Sequence, residues 1–376
     1  MYKIPVLTPR EADVVERIER VRSTLSYAIQ DVPGRWQGLL RRSTLARAIR
    51  GSNSIEGYSV TVDDAIAITE GEEALDATAE AQAAVAGYQT AMTYVMQLAN
   101  DPHFTFSPDL IRSLHYMMIH YDLTRHPGRW RPGPIYVYDD ELDKTVYEGP
   151  NAERVPGLMT DLCDQLQNES KKHPPMIAAA MAHLNLVMVH PFSDGNGRMA
   201  RMLQSLVLAR GGTLAPQFSS IEEYLGHNTR PYYDILTAVG RGRWNPANDA
   251  RPWVRFCLLA HYRQAMKLTA RARELERLWN ALEAELVNRD LPPRILLALA
   301  DAALGWRIRN PIYRAVADIT ENTASRDLRA AVEAGLLVAH GEKRGRFYKA
   351  SPLVLAIRQR VSERPDIPDP FEGPGD

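Results

Sequence analysis

The chain has 376 residues, of which 45% are hydrophobic and 24% are charged. This is enough apolar sequence for two or three packed domains, so a peptide-scale or wholly unfolded protein is excluded. The 45 Lys and Arg residues nearly balance the 46 Asp and Glu residues, for a formal net charge of −1. That balance argues against a chain that coats nucleic acid or an anionic membrane along its whole length, so any basic site must be local.

Cysteine content and the N-terminus bear on the cellular compartment. The chain has two cysteines, Cys163 and Cys257, which are too few for a disulfide framework and lack the paired spacing of a zinc site. The first residues lack the apolar segment of a signal peptide, so we expect a cytoplasmic protein. The most apolar stretch, residues 176–189, is interrupted by His183 and Asn185, and we therefore expect no membrane span.

Residues 1–100 have a helical pattern. Apolar residues recur three or four positions apart, as at Ile18, Val21 and Leu25, and Thr8-Pro9 is a typical helix start. The pattern predicts an N-terminal helical region.

A short pattern within this region involves Ser52, Glu56 and Gly57. Ser52 and Glu56 are one helical turn apart and share a face, and Gly57 is a natural residue to end a helix. The simplest interpretation is a capped helix end.

Residues 101–262 carry every dense motif. Helical spacing fails from Pro127 to Pro134, where several Pro and Gly residues occur. The alternating residues 135–138 and the later pair Val146-Tyr147 then predict a short β-hairpin on a helical body.

The C-terminal third changes character twice. Residues 263–290 are highly charged and predict a solvated connecting helix. Residues 291–352 predict three helices, which run from Ile295 to Ala302, from Pro311 to Ile319, and from Thr323, as the starting residue, to Ala334, and then a β-hairpin. Three helices followed by a hairpin is the arrangement of a winged-helix domain.

The predicted winged helix has a modest positive charge. Ten basic minus six acidic residues in 291–352 leave +4. DNA binding is one interpretation, although such domains also contact proteins. The basic residues that would reach DNA are Arg326, Arg329, Lys343, Arg344 and Arg346. Residues 353–376 form a tail, whose part from Arg364 to Asp376 is rich in Pro, Asp and Gly and is predicted to be disordered.

One run outranks every other motif: residues 190–201, His-Pro-Phe-Ser-Asp-Gly-Asn-Gly-Arg-Met-Ala-Arg. An apolar helix ends at His190-Pro191, and a loop with Gly195 and Gly197 leads into a new apolar helix from Met199 to Leu208. N–H groups of the loop and of the first helical turn can converge there, which favours an anion.

The charged residues of this run strengthen the prediction. Arg198 and Arg201 lie three apart on one face, where two cations oppose the helix dipole by about 0.3–1 kcal/mol each. A helix built only for stability would avoid them, so a polyphosphate ligand is indicated. Asp194 can hold Mg²⁺, and His190 can accept a hydroxyl proton. The alternative is a plain helix–turn–helix whose arginines pair with surface acids.

The run resembles the signature of the Fic (filamentation induced by cAMP) family, His-Pro-Phe-x-Asp-Gly-Asn-Gly-Arg-x-x-Arg, at all nine fixed positions. The resemblance implies a mainly α protein with an all-helical Fic core over about 101–262, which moves AMP from ATP to a Ser, Thr or Tyr hydroxyl of a protein. It implies roles for the following residues: His190 as general base, Asp194 as Mg²⁺ ligand, Gly195, Asn196 and Gly197 as phosphate cradle, and Arg198 and Arg201 as binders of the distal phosphates.

Three neighbouring features resemble the same family. The predicted hairpin is similar to the Fic flap, which pins a target segment by strand addition, although an ordinary covering hairpin is the alternative. Tyr232-Tyr233 resembles the aromatic pair of the adenine pocket, but the asparagine that follows in the family is not evident, since Val239-Gly240 occurs there. Ser52, Glu56 and Gly57 fit the Fic inhibitory-helix pattern of Ser or Thr, three residues, Glu, then Gly or Asn.

The resemblance therefore implies a cytoplasmic protein adenylyltransferase that uses ATP and Mg²⁺, modifies a target protein or itself, and is inhibited by Glu56. Two alternatives remain open. The same site could remove AMP, with Glu56 orienting a water, or the protein could be a nucleotide-sensing regulator whose winged helix binds DNA. A homodimer is left open. A metal site at His115, His120 and His126 is disfavoured, because they do not share a helical face.

Overall fold

Helix-forming residues and side-chain caps account for most of the architecture. The computed structural model describes residues 1–30, 36–211, 216–342 and 345–372. Within these residues the chain forms sixteen α-helices and five short β-strands, so the predicted mainly α class is confirmed. The helices are α1 (Pro9–Gln30), α2 (Gln37–Ile55), α3 (Val62–Thr69), α4 (Ala79–Leu98), α5 (Pro108–Ile119), α6 (Val155–Glu169), α7 (Pro175–Val189), α8 (Asn196–Gly211), α9 (Pro216–Ser219), α10 (Glu222–His227), α11 (Thr229–Gly240), α12 (Arg251–Asn288), α13 (Ile295–Ala303), α14 (Asn310–Ala317), α15 (Glu321–Glu333) and α16 (Pro352–Val361). The strands are β1 (Tyr136–Asp139), β2 (Lys144–Glu148), β3 (Gly242–Arg243), β4 (Leu337–His340) and β5 (Phe347–Ala350).

Hydroxyl caps begin several helices. At the start of α1 the Glu11 N–H donates to Thr8 Oγ1 (3.3 Å), while the Thr8 N–H donates to Glu11 Oε2 (2.8 Å), which forms a reciprocal capping box. The prediction that Thr323 starts the third C-terminal helix is wrong. Thr320 caps α15 by accepting the N–H of Thr323 (3.3 Å), because the helix already begins at Glu321.

The centre of the molecule is α7, which is buried on nearly every face because it is apolar on nearly every face. It packs against α8, α6 and α12. The predicted hairpin is present as the antiparallel pair β1–β2, and β3 adds to β2 in parallel. The Tyr147 hydroxyl donates to the Met188 carbonyl (2.7 Å), so the hairpin is fixed to the C-terminal end of α7.

Helix α2 crosses α10 with almost no side chain between the two backbones. A Cβ added to Gly51 would lie 2.4 Å from the backbone oxygen of Glu222, and one added to Gly226 would lie 2.7 Å from the Gly51 Cα. Beside this crossing, Glu223 is buried and accepts hydrogen bonds from Arg271 (2.9 Å for the shorter). Glycine is therefore required at the crossing for α2 to occupy its observed position.

We expect Gly51→Ala to lower the free energy of unfolding by about 1–3 kcal/mol, because the added methyl group meets backbone that cannot rotate away. Gly38→Ala is the matched control on the same helix, since a Cβ there meets nothing within 4 Å. That change should instead stabilise the protein by about 0.5–1 kcal/mol through helix propensity. Urea unfolding of the two variants compares them, and equal stabilities would contradict the close crossing.

The charged segment 263–290 is not a separate solvated helix, and that prediction is wrong. It is the second part of α12, which runs unbroken through the predicted boundary at residue 262. One face of this segment is buried, with leucines at helical spacing, among them Leu268, Leu275 and Leu282. The charged residues lie on the opposite face or pair with buried partners. The high charge of the segment therefore led the sequence analysis to miss that the helix is amphipathic.

The C-terminal part contains α13, α14 and α15 followed by the antiparallel hairpin β4–β5, in the predicted order. Its assignment as a winged helix stays a prediction. Arg326, Arg329 and Arg346 are exposed, whereas Lys343 and Arg344 lie outside the described residues. This part contacts the N-terminal region through ion pairs, since Arg42 Nη2 lies 2.7 Å from Asp301 and Arg307 Nη2 lies 2.9 Å from Asp64.

The predicted disorder of the tail is wrong for residues 364–372. The carbonyl of Pro370 accepts from Arg17 Nη1 (3.4 Å), and the Phe371 ring lies 5.8 Å from the Arg255 guanidinium carbon. Helix α16, which precedes this segment, was not predicted, although its Ser351 cap and Pro352 are ordinary helix-start signals. Residues 373–376 lie outside the described part. No helix among the described residues has the length and apolar character to cross a membrane.

Candidate functional site

The loop between α7 and α8 is rigid at both ends. His190 ends α7 in the left-handed conformation (φ 51°), and its N–H donates to the Leu186 carbonyl (2.9 Å). The Asn196 side chain accepts from the Phe192 N–H (2.9 Å) and donates to the Phe192 carbonyl (2.8 Å). These bonds start α8 at Asn196, three residues before the predicted start at Met199. Asn196 and Gly197 consequently present first-turn N–H groups that lack intrahelical partners, whereas the Gly195 N–H donates to Asp194 Oδ1.

His190 has a defined tautomer. Its Nδ1 lies 3.0 Å from the Val187 carbonyl, so Nδ1 must carry the proton and Nε2 is left as an acceptor. Burial lowers the pKa of His190 from its ordinary value, which favours the neutral ring. Arg131, a buried residue, donates from Nε to the His190 carbonyl (2.8 Å) and from its own N–H to the Pro191 carbonyl (2.9 Å). The imidazole is therefore neutral, oriented and able to take a proton.

Arg201 is buried and satisfied by the end of α2. Its Nε donates to Ser52 Oγ (2.8 Å), and its Nη2 donates to the Ser52 carbonyl (2.9 Å) and to Glu56 Oε1 (2.6 Å). The same Glu56 oxygen lies 2.4 Å from where a Cβ on Gly197 would stand. The carboxylate therefore sits over the first turn of α8, where the sequence predicted an anion.

Arg198 differs from Arg201 in its hydrogen bonding. It is fully buried, and its Nε and Nη1 have no hydrogen-bond partner among the described residues. Its Nη2 lies 3.7 Å from Asp194 Oδ2, and its guanidinium carbon lies 5.0 Å from the Tyr58 ring. Buried charged donors without acceptors are costly, so this pair of nitrogens indicates a missing anionic ligand.

Asp194 is the candidate metal ligand, with a side chain 38% exposed. Its Oδ2 accepts from Arg125 Nη1 (2.9 Å) and its Oδ1 from the Gly195 N–H (2.7 Å). No group of three or more His, Cys, Asp or Glu residues in the described ranges could hold a metal ion. The donor set therefore fits Mg²⁺ only if phosphate oxygens complete the coordination, as is common for this ion.

His115 has a structural role. Its Nδ1 accepts from the Gly128 N–H (2.8 Å), so Nε2 donates to the Asp194 carbonyl (3.0 Å), and its ring stacks on Phe192 at 3.6 Å. Burial lowers its pKa to about 4. His115 therefore holds the loop through a hydrogen bond to Asp194 and a stacking contact with Phe192.

The loop opens into a pocket of about 710 Å³. Tyr233 is 40% exposed there, and its hydroxyl donates to the Ile55 carbonyl (3.2 Å). Tyr232 is buried, with its hydroxyl 3.0 Å from His183 Nε2 and 3.5 Å from Arg201 Nη1. Of the predicted aromatic pair, Tyr233 is the residue that is partly exposed to the pocket, and Tyr232 is the residue whose hydroxyl lies beside Arg201. The pocket is lined by Ile55, Glu56, residues 135–141, Val146, Tyr147, Val187, Met188, His190, residues 193–197, Thr229, Arg230, Tyr232, Tyr233, Leu236 and Thr237.

Residues 105–208 match the model of the Fic/DOC family. These residues form a Fic/DOC domain. The match begins just after the start of the predicted Fic core, and it contains the complete signature.

Curated relatives of this chain are named protein adenylyltransferase Fic or fic-1. The one from Culex quinquefasciatus is 29% identical over 260 residues, which is 66% of this chain and 47% of the relative. The one from Nematostella vectensis is 28% identical over 208 residues, with 54% and 44% covered. The chain thus spans about half the length of the curated relatives that it matches.

Solved structures support the Fic fold. A Fic family protein from Desulfovibrio desulfuricans G20 superposes with a TM-score of 0.61 at 22% identity, covering 94% of this chain and 99% of that one. Fic-1 (residues 134–508) from Caenorhabditis elegans gives a TM-score of 0.54 at 24% identity, covering 69% and 71%.

Three residues that contact the Fic loop were missed by sequence reasoning: Tyr58, Arg125 and Arg131. Each lies outside the signature, and each contacts the loop or its side chains through tertiary packing. A faint signal existed for the two arginines, since both flank the Pro-Gly turn at 127–128 without forming a helical pattern.

Proposed function

We propose that this Fic protein transfers AMP from ATP to a hydroxyl group of a target protein. The observation that carries the proposal is Arg198, whose buried Nε and Nη1, beside the first turn of α8, have no hydrogen-bond partner in the part of the chain that the structure describes. A triphosphate offers oxygens to both this arginine and the N–H groups of the first turn. The names of the curated relatives support the same reaction.

The positions of the side chains support the following course of the proposed reaction. The target hydroxyl loses its proton to His190 Nε2 while its oxygen bonds to the α-phosphorus of ATP. The bond from that phosphorus to the bridging oxygen breaks, and pyrophosphate leaves with the electron pair. Arg198 and Arg201 neutralise the distal phosphates as charge develops on them. Asp194 would hold Mg²⁺, which supplies further neutralisation of phosphate charge when bound.

We also propose that the structure is that of a self-inhibited state. Glu56 pairs with Arg201 over the first turn of α8, so the outermost phosphate of ATP and this carboxylate compete for one position. The nucleotide could then bind only with its phosphates displaced, and the α-phosphorus would be badly aligned for attack.

The hairpin is the candidate target-docking element. The three-stranded sheet has the order β1–β2–β3, so β1 is a strand at its edge. Within the described residues, β1 pairs with β2 on one side and with no strand on the other. Tyr136 and Tyr138 on β1 are more than half exposed. An extended target segment could add to this edge through backbone hydrogen bonds, which tolerates many sequences.

Labelled ATP tests the reaction. Incubation with ATP labelled at the α-phosphate should label this protein or a protein in an extract, whereas γ-label should not transfer. Release of AMP from a previously modified target, without labelling, would favour the reverse activity. Tight DNA binding without either reaction would favour a regulatory protein instead.

The rate should resist acidification. A general base must be neutral, and burial lowers the pKa of His190 below its ordinary 6.5. We therefore expect the labelling rate to fall at acid pH with a midpoint below 6.5. Single-turnover rates of the Glu56→Gly variant would give this profile. An acid limb with its midpoint above 6.5 would contradict the geometry of the base.

A further inference from the structure

Tyr58 lies two residues beyond Glu56 and contacts a different part of the site. Its ring lies 5.0 Å from the guanidinium carbon of Arg198. Its hydroxyl accepts a hydrogen bond from Arg125 Nη1, and the same nitrogen donates to Asp194 Oδ2 (2.9 Å). Tyr58 thus contacts Arg198, the arginine that Glu56 does not pair with.

The end of α2 determines where Tyr58 lies. Gly57 is left-handed (φ 85°), its N–H donates to the Ser54 carbonyl (3.2 Å), and the Tyr58 N–H donates to the Asn53 carbonyl (3.1 Å). This is a helix end closed by backbone bonds across the last turn. Glu56 and Tyr58 are therefore carried by one rigid turn, and each covers a different arginine.

Arg125 holds the ring in place. Its Nε donates to Asp122 (2.8 Å) and its Nη2 to Glu80 (2.8 Å), in addition to the bonds to Tyr58 and Asp194. The guanidinium is therefore fixed by acids on its own turn and on α4. A tyrosine hydroxyl bonded to a fixed cation cannot swing its ring away from Arg198 without breaking that bond.

We propose that Tyr58 is a second inhibitory residue, which covers Arg198 while Glu56 covers Arg201. The inference rests on the proposed function, because it assumes that phosphate oxygens bind to both arginines. Glu56 and Tyr58 contact different residues of α8. Each therefore opposes nucleotide binding independently of the other. Removing Glu56 alone leaves Arg198 covered.

Calorimetry with a non-hydrolysable ATP analogue and Mg²⁺ tests this in the Glu56→Gly background. Adding Tyr58→Ala should tighten binding of the analogue by about two- to fivefold, the range of a cation–π contact at a partly exposed site. Tyr58→Phe keeps the ring but loses the bond to Arg125, so a smaller gain is expected. Tyr121→Phe is the matched control, because the Tyr121 hydroxyl lies 3.5 Å from that of Tyr58 but has no hydrogen bond to Arg198 or Arg201 among the described residues. It should leave affinity unchanged.

Each outcome has a distinct meaning. Unchanged or weaker binding after Tyr58→Ala, or an equal gain from Tyr121→Phe, would overturn the role of Tyr58. Thermal unfolding checks that the variants are folded, and if Tyr58→Ala is not, Tyr58→Phe must bind more tightly than its parent for the inference to stand. If the Glu56→Gly parent neither binds the analogue nor labels protein, the proposed function itself fails.

Discussion

Glu56→Gly should raise self-labelling with α-labelled ATP by about ten- to a hundredfold. The carboxylate lies 2.6 Å from Arg201 Nη2 and over Gly197, so its removal frees the position of the outermost phosphate. Displacement of reacting atoms by about 1 Å can cost 10²-fold in rate, which sets the upper range of the expected gain. Labelling rates of the two proteins at equal ATP give the measurement.

The chain contains a matched control for this change. Glu70 ends α3 as Glu56 ends α2, and each is followed by a left-handed glycine, Gly71 in the one case and Gly57 in the other. Glu70→Gly therefore makes the same change in the same backbone context without touching Arg201, and should leave labelling unchanged. A similar gain from both variants would assign the effect to helix loosening rather than to the freed arginine.

Loss of the ion pair also affects stability. Arg201 keeps its bonds to Ser52, but it loses its only carboxylate contact among the described residues. We expect Glu56→Gly to lower the free energy of unfolding by about 1–3 kcal/mol without nucleotide, because a buried cation is left less well paired. Combining it with Arg201→Ala should abolish the gain in labelling, since the arginine is the proposed cause of that gain.

His190→Ala should reduce labelling by about 10²- to 10⁴-fold, the usual contribution of a positioned base. Nucleotide binding should persist, because the phosphate contacts proposed here come from the backbone of α8 and from Arg198. The effect should be measured in the Glu56→Gly background, where the parent rate is high. An unchanged rate would remove His190 from the reaction.

A backbone effect must be separated from the loss of the base. His190 has φ 51°, a conformation that costs alanine about 1–2 kcal/mol. Asp318 ends α14 with φ 51° and with its N–H on the carbonyl four residues earlier, as His190 does, but lies in the C-terminal part. Asp318→Ala therefore carries the same strain and should label at the parent rate.

Features set by neighbouring residues could be predicted from the sequence. The glycine loop, the start of a helix beside Arg198, and the helix end at Gly57 all depend on residues within about one turn of one another. The β-hairpin likewise follows from local alternation. The pairing of Glu56 with Arg201 joins residues 145 positions apart, and for it the sequence analysis offered only the inhibitory role of Glu56 that the family resemblance implies.

Features set by packing could not be predicted. The only local signal for Arg125 is its place beside the Pro-Gly turn at 127–128, and only the fold brings it to Tyr58 and Asp194. The tail has the composition of a disordered segment, yet Phe371 finds a place beside Arg255. Composition reports the average tendency of a segment, whereas a single docking contact depends on the surface it meets.

Helix α12 makes the two halves of the molecule share a single core. Its 38 residues extend over about 57 Å at 1.5 Å per residue. Near its start, Trp253 donates to the Ala180 carbonyl of α7 (2.7 Å), whereas Leu286 near its end is buried where the chain turns toward α13. If either end of α12 unwound, the apolar side chains packed on both sides of the helix would become exposed to solvent together. We therefore expect the signature loop and the C-terminal helices to be coupled in unfolding through α12.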